Sequence, residues 1–402
     1  MAWTHEDGGP RRTQLAPGAL GVAPGSRLEV TTRVAPVTTM VVTGLAGERY
    51  LLRHTPGEPS TALVERIDPV TLEPLASSPD LPAGPVWPGG LGVHGDGSVH
   101  VVFGDHAHRL DPSLAVVASR QLPRPKPYNS FVPLADGHLV TKDFAGSRPG
   151  RPVAAADREP SELVVLDPLS LEVVDALVLP EPSIARLSAD GDTVVVVGDS
   201  SLLLVAWDGH RLTLEPDRTV RYRTREGQGY GWDCALVGGH AWFLDDGEGS
   251  EAYSGTLRGH GVATAPLQLV RVGLTDGSLT AVEVSGLPGG LIANPPVVDP
   301  GRGIAVGYDT GNGVLAGFDA ETLEPRWRRD QDHGSHLVLY EGSGELVTGD
   351  HADVVVLDVA TGDELARADA GMGMQSVLFP LPGDARDVYV CTFLGVSRVA
   401  VA

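Results

Sequence analysis

The chain has 402 residues, with 52 acidic against 30 basic side chains and a formal net charge of −22. Such a surface repels nucleic acid and anionic lipid, which excludes both as general partners. Hydrophobic residues make up 42%, enough for a large core, while 51 glycines, 32 prolines and 5% aromatics suit many tight turns between short strands.

The first stretch, "MAWTHEDGGPRRTQLAPG", is charged and polar. It has no apolar centre or cleavage pattern of a signal peptide, and no later stretch reaches membrane-spanning length. Residues 1–26 are read as a flexible N-terminal extension and residues 27–402 as a single domain. A soluble, cytoplasmic protein is expected.

Within 27–402 one phrase keeps returning: "ERIDPVTLEPLA", "HRLDPSLAVVAS", "VVLDPLSLEVVDA", "AGFDAETLEPRWR" and "VVVLDVATGDELARADAG". An apolar run ends in Asp, a turn follows, and a more polar run comes next. The aspartates are Asp68, Asp111, Asp167, Asp208, Asp276, Asp319 and Asp358. Their spacing is about 40 residues, with longer intervals after Asp111 and Asp208. Upstream of each phrase lie two apolar runs joined by a Gly turn, as in "IARLSADGDTVVVVGD" and "HLVLYEGSGELVTGD". Asp-Gly and Gly-Gly between β-branched runs are hairpin turns. Each unit therefore predicts four antiparallel strands, which is one blade of a β-propeller.

Eight innermost strands are predicted, beginning near Thr39, Trp87, Tyr128, Ser183, Gly231, Ile292, Ser335 and Gln375. Seven blades is the alternative count, if the first unit is mis-split. The last unit stops after three strands, and "RLEVTTRVAP" near the N-terminus can supply the fourth, closing the ring and removing a free edge. Cys234 and Cys391 fall in apolar runs and are expected as buried free thiols.

The Asp-x-x-Thr-Gly phrase resembles the repeats of the PQQ-like and YVTN-type β-propeller superfamily. The resemblance covers nearly the whole chain and implies the fold. The chain departs from the PQQ-dependent alcohol dehydrogenases: it has no adjacent pair of cysteines, and the blade tryptophan recurs only as Trp327. No cofactor is therefore expected.

In such a ring, the loops leading into the innermost strands and those between second and third strands share one face, where ligand sites gather. Asp105, Asp143, Asp199, Asp246, Asp309 and Asp350 recur in the second set and are read as turn formers. The non-repeating residues carry more information. "RPKPYNSF" places Tyr128 and Asn129, and "TKDF" returns Lys142 to the same face; a surface ion pair with Asp143 is the plainer reading. "GQGYGWDCA" sets Tyr230 and Trp232 beside Asp233, whose pKa should rise against aromatic surface. "DQDHGSHLVL" offers His333 and His336, and with His351 and Asp332 a metal ion is the minor alternative. The acidic insertion 244–261 is read as a solvated loop, with Ca²⁺ as its alternative.

The leading expectation is an enzyme acting on a small organic molecule by acid–base chemistry without a redox cofactor, as a lyase, isomerase, cyclase or hydrolase. His336, Asp233 and Tyr128 would be catalytic. Trp87, Asn129, Lys142, Tyr230, Trp232, Asn294 and Gln375 would bind substrate. The alternatives are a non-catalytic propeller that binds a ligand or protein partner, and a metal- or quinone-dependent oxidoreductase.

Overall fold

A computed structural model describes residues 3–148, 151–250, 257–332, 336–371, 376–380 and 386–402. Eight antiparallel sheets of at least four strands stand around one axis, as the repeat predicts. The innermost strands are Thr38–Thr43, Gly90–Val93, Tyr128–Pro133, Ser188–Asp190, Ala235–Val237, Val297–Asp299, Val338–Tyr340 and Ser376–Pro380. The seventh blade shows the plan: Val338–Tyr340, Glu345–Asp350, Asp353–Asp358 and Glu364–Asp369 follow one another from the axis outward. Among the described residues no helix is long and apolar enough to cross a membrane.

The middle strands read as unbroken apolar runs because both of their faces are covered by neighbouring blades. Val194–Val197 and Val354–Leu357 are buried at every position. The outermost strands alternate instead, as half-solvated strands should. Val173–Val178 and Pro325–Asp330 are examples.

The repeated aspartates close the turn after the third strand. Asp68 Oδ1 accepts the N–H groups of Val70 and Thr71 at 2.9 and 2.7 Å, and Asp319 does the same for Glu321 and Thr322 at 3.0 and 2.9 Å. Four blades then place a leucine in the left-handed region: Leu72, Leu114, Leu171 and Leu323, with φ from 60° to 72°. That conformation costs about 1–2 kcal/mol for a side chain with a Cβ. Each of these leucines is buried, which returns roughly 1.5–3 kcal/mol. Burial wins, so the position takes leucine here, whereas the seventh blade uses Gly362 (φ 75°).

The ring closes as expected. Leu28–Val34 pairs antiparallel with Gly395–Val401 through seven register positions, from Leu28 opposite Val401 to Val34 opposite Gly395. The stretch before it, read from sequence as an extension, lies along the channel. Innermost strands have one edge with no sheet neighbour, and its N–H groups need acceptors. Thr43, Val93, Ala189, Leu236 and Leu339 donate theirs to the carbonyls of Trp3, Thr4, Pro10, Arg11 and Gln14 at 2.8–3.0 Å. Leu15–Ala16 then pairs parallel to Val338–Tyr340. The Glu345 carboxylate receives the N–H groups of Leu20 (2.6 Å), Gly21 (3.0 Å) and Val22. One segment thus visits most of the ring before becoming its closing strand.

Removing residues 1–36 exposes the edge of Gly395–Val401 and the inner strand edges together. The expected outcome is insolubility or a melting temperature lower by roughly 10 °C or more. Unchanged melting in a thermal scan would contradict this closure.

Candidate functional site

The N-terminal segment lies at the hairpin ends of the innermost strands, because Thr43 and Val93 are the last residues of theirs. The loops leading into those strands lie toward the other end. Between the two sits a compact charge cluster. Arg12, 1% exposed, reaches Glu6 at 3.2 Å, Asp7 at closer range, and Asp233 of the fifth blade at 3.1 Å. Arg186 of the fourth blade adds Glu6 at 3.2 Å and Asp233 at 3.6 Å. The main-chain N–H of Arg186 also donates to Asp233 Oδ1 at 2.6 Å.

The backbone is bent to deliver these groups. Asp7, Arg12 and Gln14 all have φ between 52° and 58°. Such strain persists only where surrounding contacts over-determine it, and here two guanidiniums and three carboxylates do so. Burial works against the charge on Arg12, but Asp7, Glu6 and Asp233 outweigh it and keep Arg12 protonated. Burial raises the pKa values of Glu6 and Asp7, with Arg12 and Arg186 opposing. His336 Nδ1 lies 3.7 Å from Asp7 Oδ1. Burial, with Arg186 and Arg12 adding to it, pulls the imidazole down to about 4.

Asp233 and His336 are therefore brought together, but by the N-terminal segment. Asn129 borders the same group: its main-chain oxygen accepts Arg186 Nε at 3.0 Å, and its Nδ2 donates to Ile184 O at 3.1 Å. Asn294 Nδ2 donates to Pro295 O at 3.1 Å, an oxygen that Gln14 Nε2 also approaches at 3.4 Å. Tyr128 is fully buried, its hydroxyl accepting the Arg124 N–H at 3.3 Å, and burial raises its pKa. Lys142 is no surface ion pair. Its Nζ is sealed between the carbonyls of Asp143 (2.9 Å) and Ser183 (3.0 Å), and burial lowers its pKa to about 8. Trp87 stacks on Phe144 at 4.4 Å and packs on the cluster that holds Tyr230, Trp232 and Ile184. Arg158 covers the Tyr230 ring at 4.3 Å. Gln375 and His333 lie outside the described residues. His351 is exposed and pairs with Asp332 at 2.5 Å, whereas His336 is buried.

The recurring second-loop aspartates do more than turn their own chain. Asp143 accepts the Glu162 N–H of its third strand at 2.6 Å, Asp246 accepts Gly229 N–H at 2.7 Å, Asp309 accepts Leu291 N–H at 3.3 Å, and Asp350 accepts Asp332 N–H at 3.0 Å. The last three fasten the loop leading into their own blade, so the repeat reflects positioning of that loop. Asp246 is itself strained (φ 64°), and its Oδ2 is buried without a partner. Burial, together with Asp309, moves its pKa from 3.8 to about 7, and the adjacent Asp245 is raised as well. Glu6, Asp7 and Arg12 were not foreseen as site residues, since nothing in their spacing separates them from a solvated tail.

No family model and no curated protein matches the chain. Solved structures do. BamB from Moraxella catarrhalis superposes with a TM-score of 0.62 at 15% identity over 92% of this chain and 100% of its own. A quinohemoprotein alcohol dehydrogenase from Comamonas testosteroni gives 0.62 at 12% over 100% and 80%. Apo AztD from Citrobacter koseri gives 0.54 at 14% over 87% and 97%. The likeness shows the fold, an eight-bladed β-propeller shared with these structures. The acid–base enzyme expected from the sequence is corrected here. None of these structures is named as a lyase, isomerase, cyclase or hydrolase, and two of the expected catalytic groups, Asp233 and His336, belong to the cluster around Arg12.

Two outcomes follow from this geometry. Arg12→Ala strands buried carboxylates and should cost about 3–5 kcal/mol in chemical denaturation. A loss below about 1 kcal/mol would show the cluster to be solvated. For Asp246 the folded pKa lies above the unfolded one, so the folded state binds the extra proton. Its stability contribution is complete below about pH 4 and falls as pH rises toward 7. Asp246→Asn should therefore leave melting unchanged near pH 4 and raise it at pH 8. Equal shifts at both values would refute the assignment.

Proposed function

We propose that this chain is a binding propeller without catalytic chemistry of its own. Its N-terminal segment closes one end of the channel, and the loops at the opposite end receive a ligand or a protein partner. One observation carries the reading: Arg12 of the segment and Arg186 of the wall engage Asp233, the side chain best placed to move protons. A carboxylate held by two guanidiniums and a main-chain N–H is fixed in place. A neutral imidazole buried beside Asp7 is equally removed from proton traffic near pH 7. The fold likeness to BamB and AztD, neither named as an enzyme, agrees with this reading.

The substitution Asp233→Asn separates binding from catalysis. A catalytic acid or base can be lost with little change in stability. A structural anion cannot, because Arg12 and Arg186 both lose a charge partner. The expected result is a destabilisation of roughly 2–4 kcal/mol. A variant that melts like the parent yet loses a measurable turnover would overturn the reading.

A further inference from the structure

We propose that His5 is an acid-released latch: its neutral ring fastens the start of the N-terminal segment to the second blade, and proton uptake by it and by His100 lets that start go. The device stands at the closed end of the channel and does not depend on what the opposite end binds.

The latch is built by close approach. His5 bridges Gly92 of the second blade's innermost strand, and Val93 N–H donates to Thr4 O at 2.9 Å. A side chain at position 92 would not fit: a Cβ there would stand 2.6 Å from His5 Cδ2 and 2.9 Å from Phe131 Cζ. His100 lies directly opposite Gly92 on the second strand of the same blade. Residues opposite each other in an antiparallel pair share one face. His5 and His100 accordingly meet one aromatic ring, each edge-on to Phe131, with centroids 6.1 and 6.4 Å away. His94, in the turn after Val93, stands edge-on to His100 at 5.5 Å.

This packing suits neutral rings. His100 Nε2 reaches Pro168 O at 2.8 Å, and a carbonyl only accepts, so Nε2 carries the hydrogen and Nδ1 is bare. That Nδ1 is buried with no partner, and a proton placed on it would meet no acceptor. His94 is different. Its Nε2 faces Gly137 O at 3.3 Å and its Nδ1 faces Asp96 Oδ1 at 3.4 Å, two acceptors that a doubly protonated ring satisfies. The other charges here are Asp96 and Arg109, paired at 2.9 Å. Burial, with His100 and His94 adding to it, pulls His5 from 6.5 to about 4. Burial, aided by His94 and opposed by the Pro168 carbonyl, takes His100 to about 4 as well. Docked values below the free one mean that docking is complete above about pH 6.5 and weakens as pH falls toward 4. Glu6 and Asp7, next along the segment, are raised by burial and act in the opposite sense, so removal of His5 is the deciding comparison.

Amide hydrogen exchange of the full chain, corrected for its intrinsic pH dependence, reads the latch at Thr43 and Val93, the donors to Trp3 and Thr4. The second strand Val99–Phe103 is the control. Between pH 7 and about pH 4.5, protection at Thr43 and Val93 should fall about thirtyfold or more, since each pH unit below the free value costs docking about tenfold per released histidine. The control should stay protected. His5→Gln removes the titrating ring and should cut the fall to about threefold or less. Should His5→Gln lose protection at these two amides already at pH 7, His100→Gln decides, with an expected fall at least about threefold smaller than the parent's. Full protection of the parent at pH 4.5 overturns the latch, as does a deciding variant that falls as far as the parent. Loss of the control at the same pH as Thr43 and Val93 also overturns it, because the segment would then leave only with the whole blade.

Discussion

Eight blades around one axis leave eight inner strand edges facing each other across a channel. Their N–H groups have no sheet neighbour, and burying them without acceptors costs more than a blade can lose. The rest of this structure depends on how that requirement is met. One polar segment, from Trp3 to Ala16, carries its carbonyls past the edges of several blades and then continues into the strand that closes the ring. Pairing the inner edges and sealing the outer one are done by the same stretch of chain.

That arrangement decides the chemistry of the channel. Running charged residues past an axis requires counter-charges in the walls, and the walls supply Asp233 and Arg186. Asp233, the group that looks most like a catalytic acid or base, is then held by salt bridges, with three non-glycine residues of the segment kept in left-handed conformations.

The ring was legible in the sequence because its signals are local. Asp68 and its counterparts hydrogen-bond residues two or three positions on, and Gly turns join neighbouring strands, so every blade repeats its own instructions. The closing strand was legible because its alternation completes a unit one strand short. The positions of Asn129, Asp233, Asn294 and His336 near the channel were legible as polar departures from a repeating pattern. Their partners were not. The segment that meets them bonds through main-chain carbonyls, which leave no mark in a side-chain pattern, and Arg12 meets Asp233 across 221 residues. Lys142 misled for a related reason: its acceptors are carbonyls, one of them 41 residues away. The leading loops also run farther than expected, since the fourth, fifth and sixth innermost strands begin at Ser188, Ala235 and Val297. Segments such as 230–234 divide their bonds between their own blade, where Trp232 N–H donates to Leu244, and the fourth blade and N-terminal segment, where Asp233 meets Arg186 and Arg12.

The most direct measurement of this account is amide hydrogen exchange at Thr43, Val93, Ala189, Leu236 and Leu339 in the intact protein. These five N–H groups donate to the N-terminal segment. If the segment occupies the channel, they exchange as slowly as the paired amides of the second strands in the same blades, and they become fast when residues 1–16 are removed. Fast exchange at these five amides in the intact chain, with the second strands still protected, would contradict an occupied channel and the functional reading built on it.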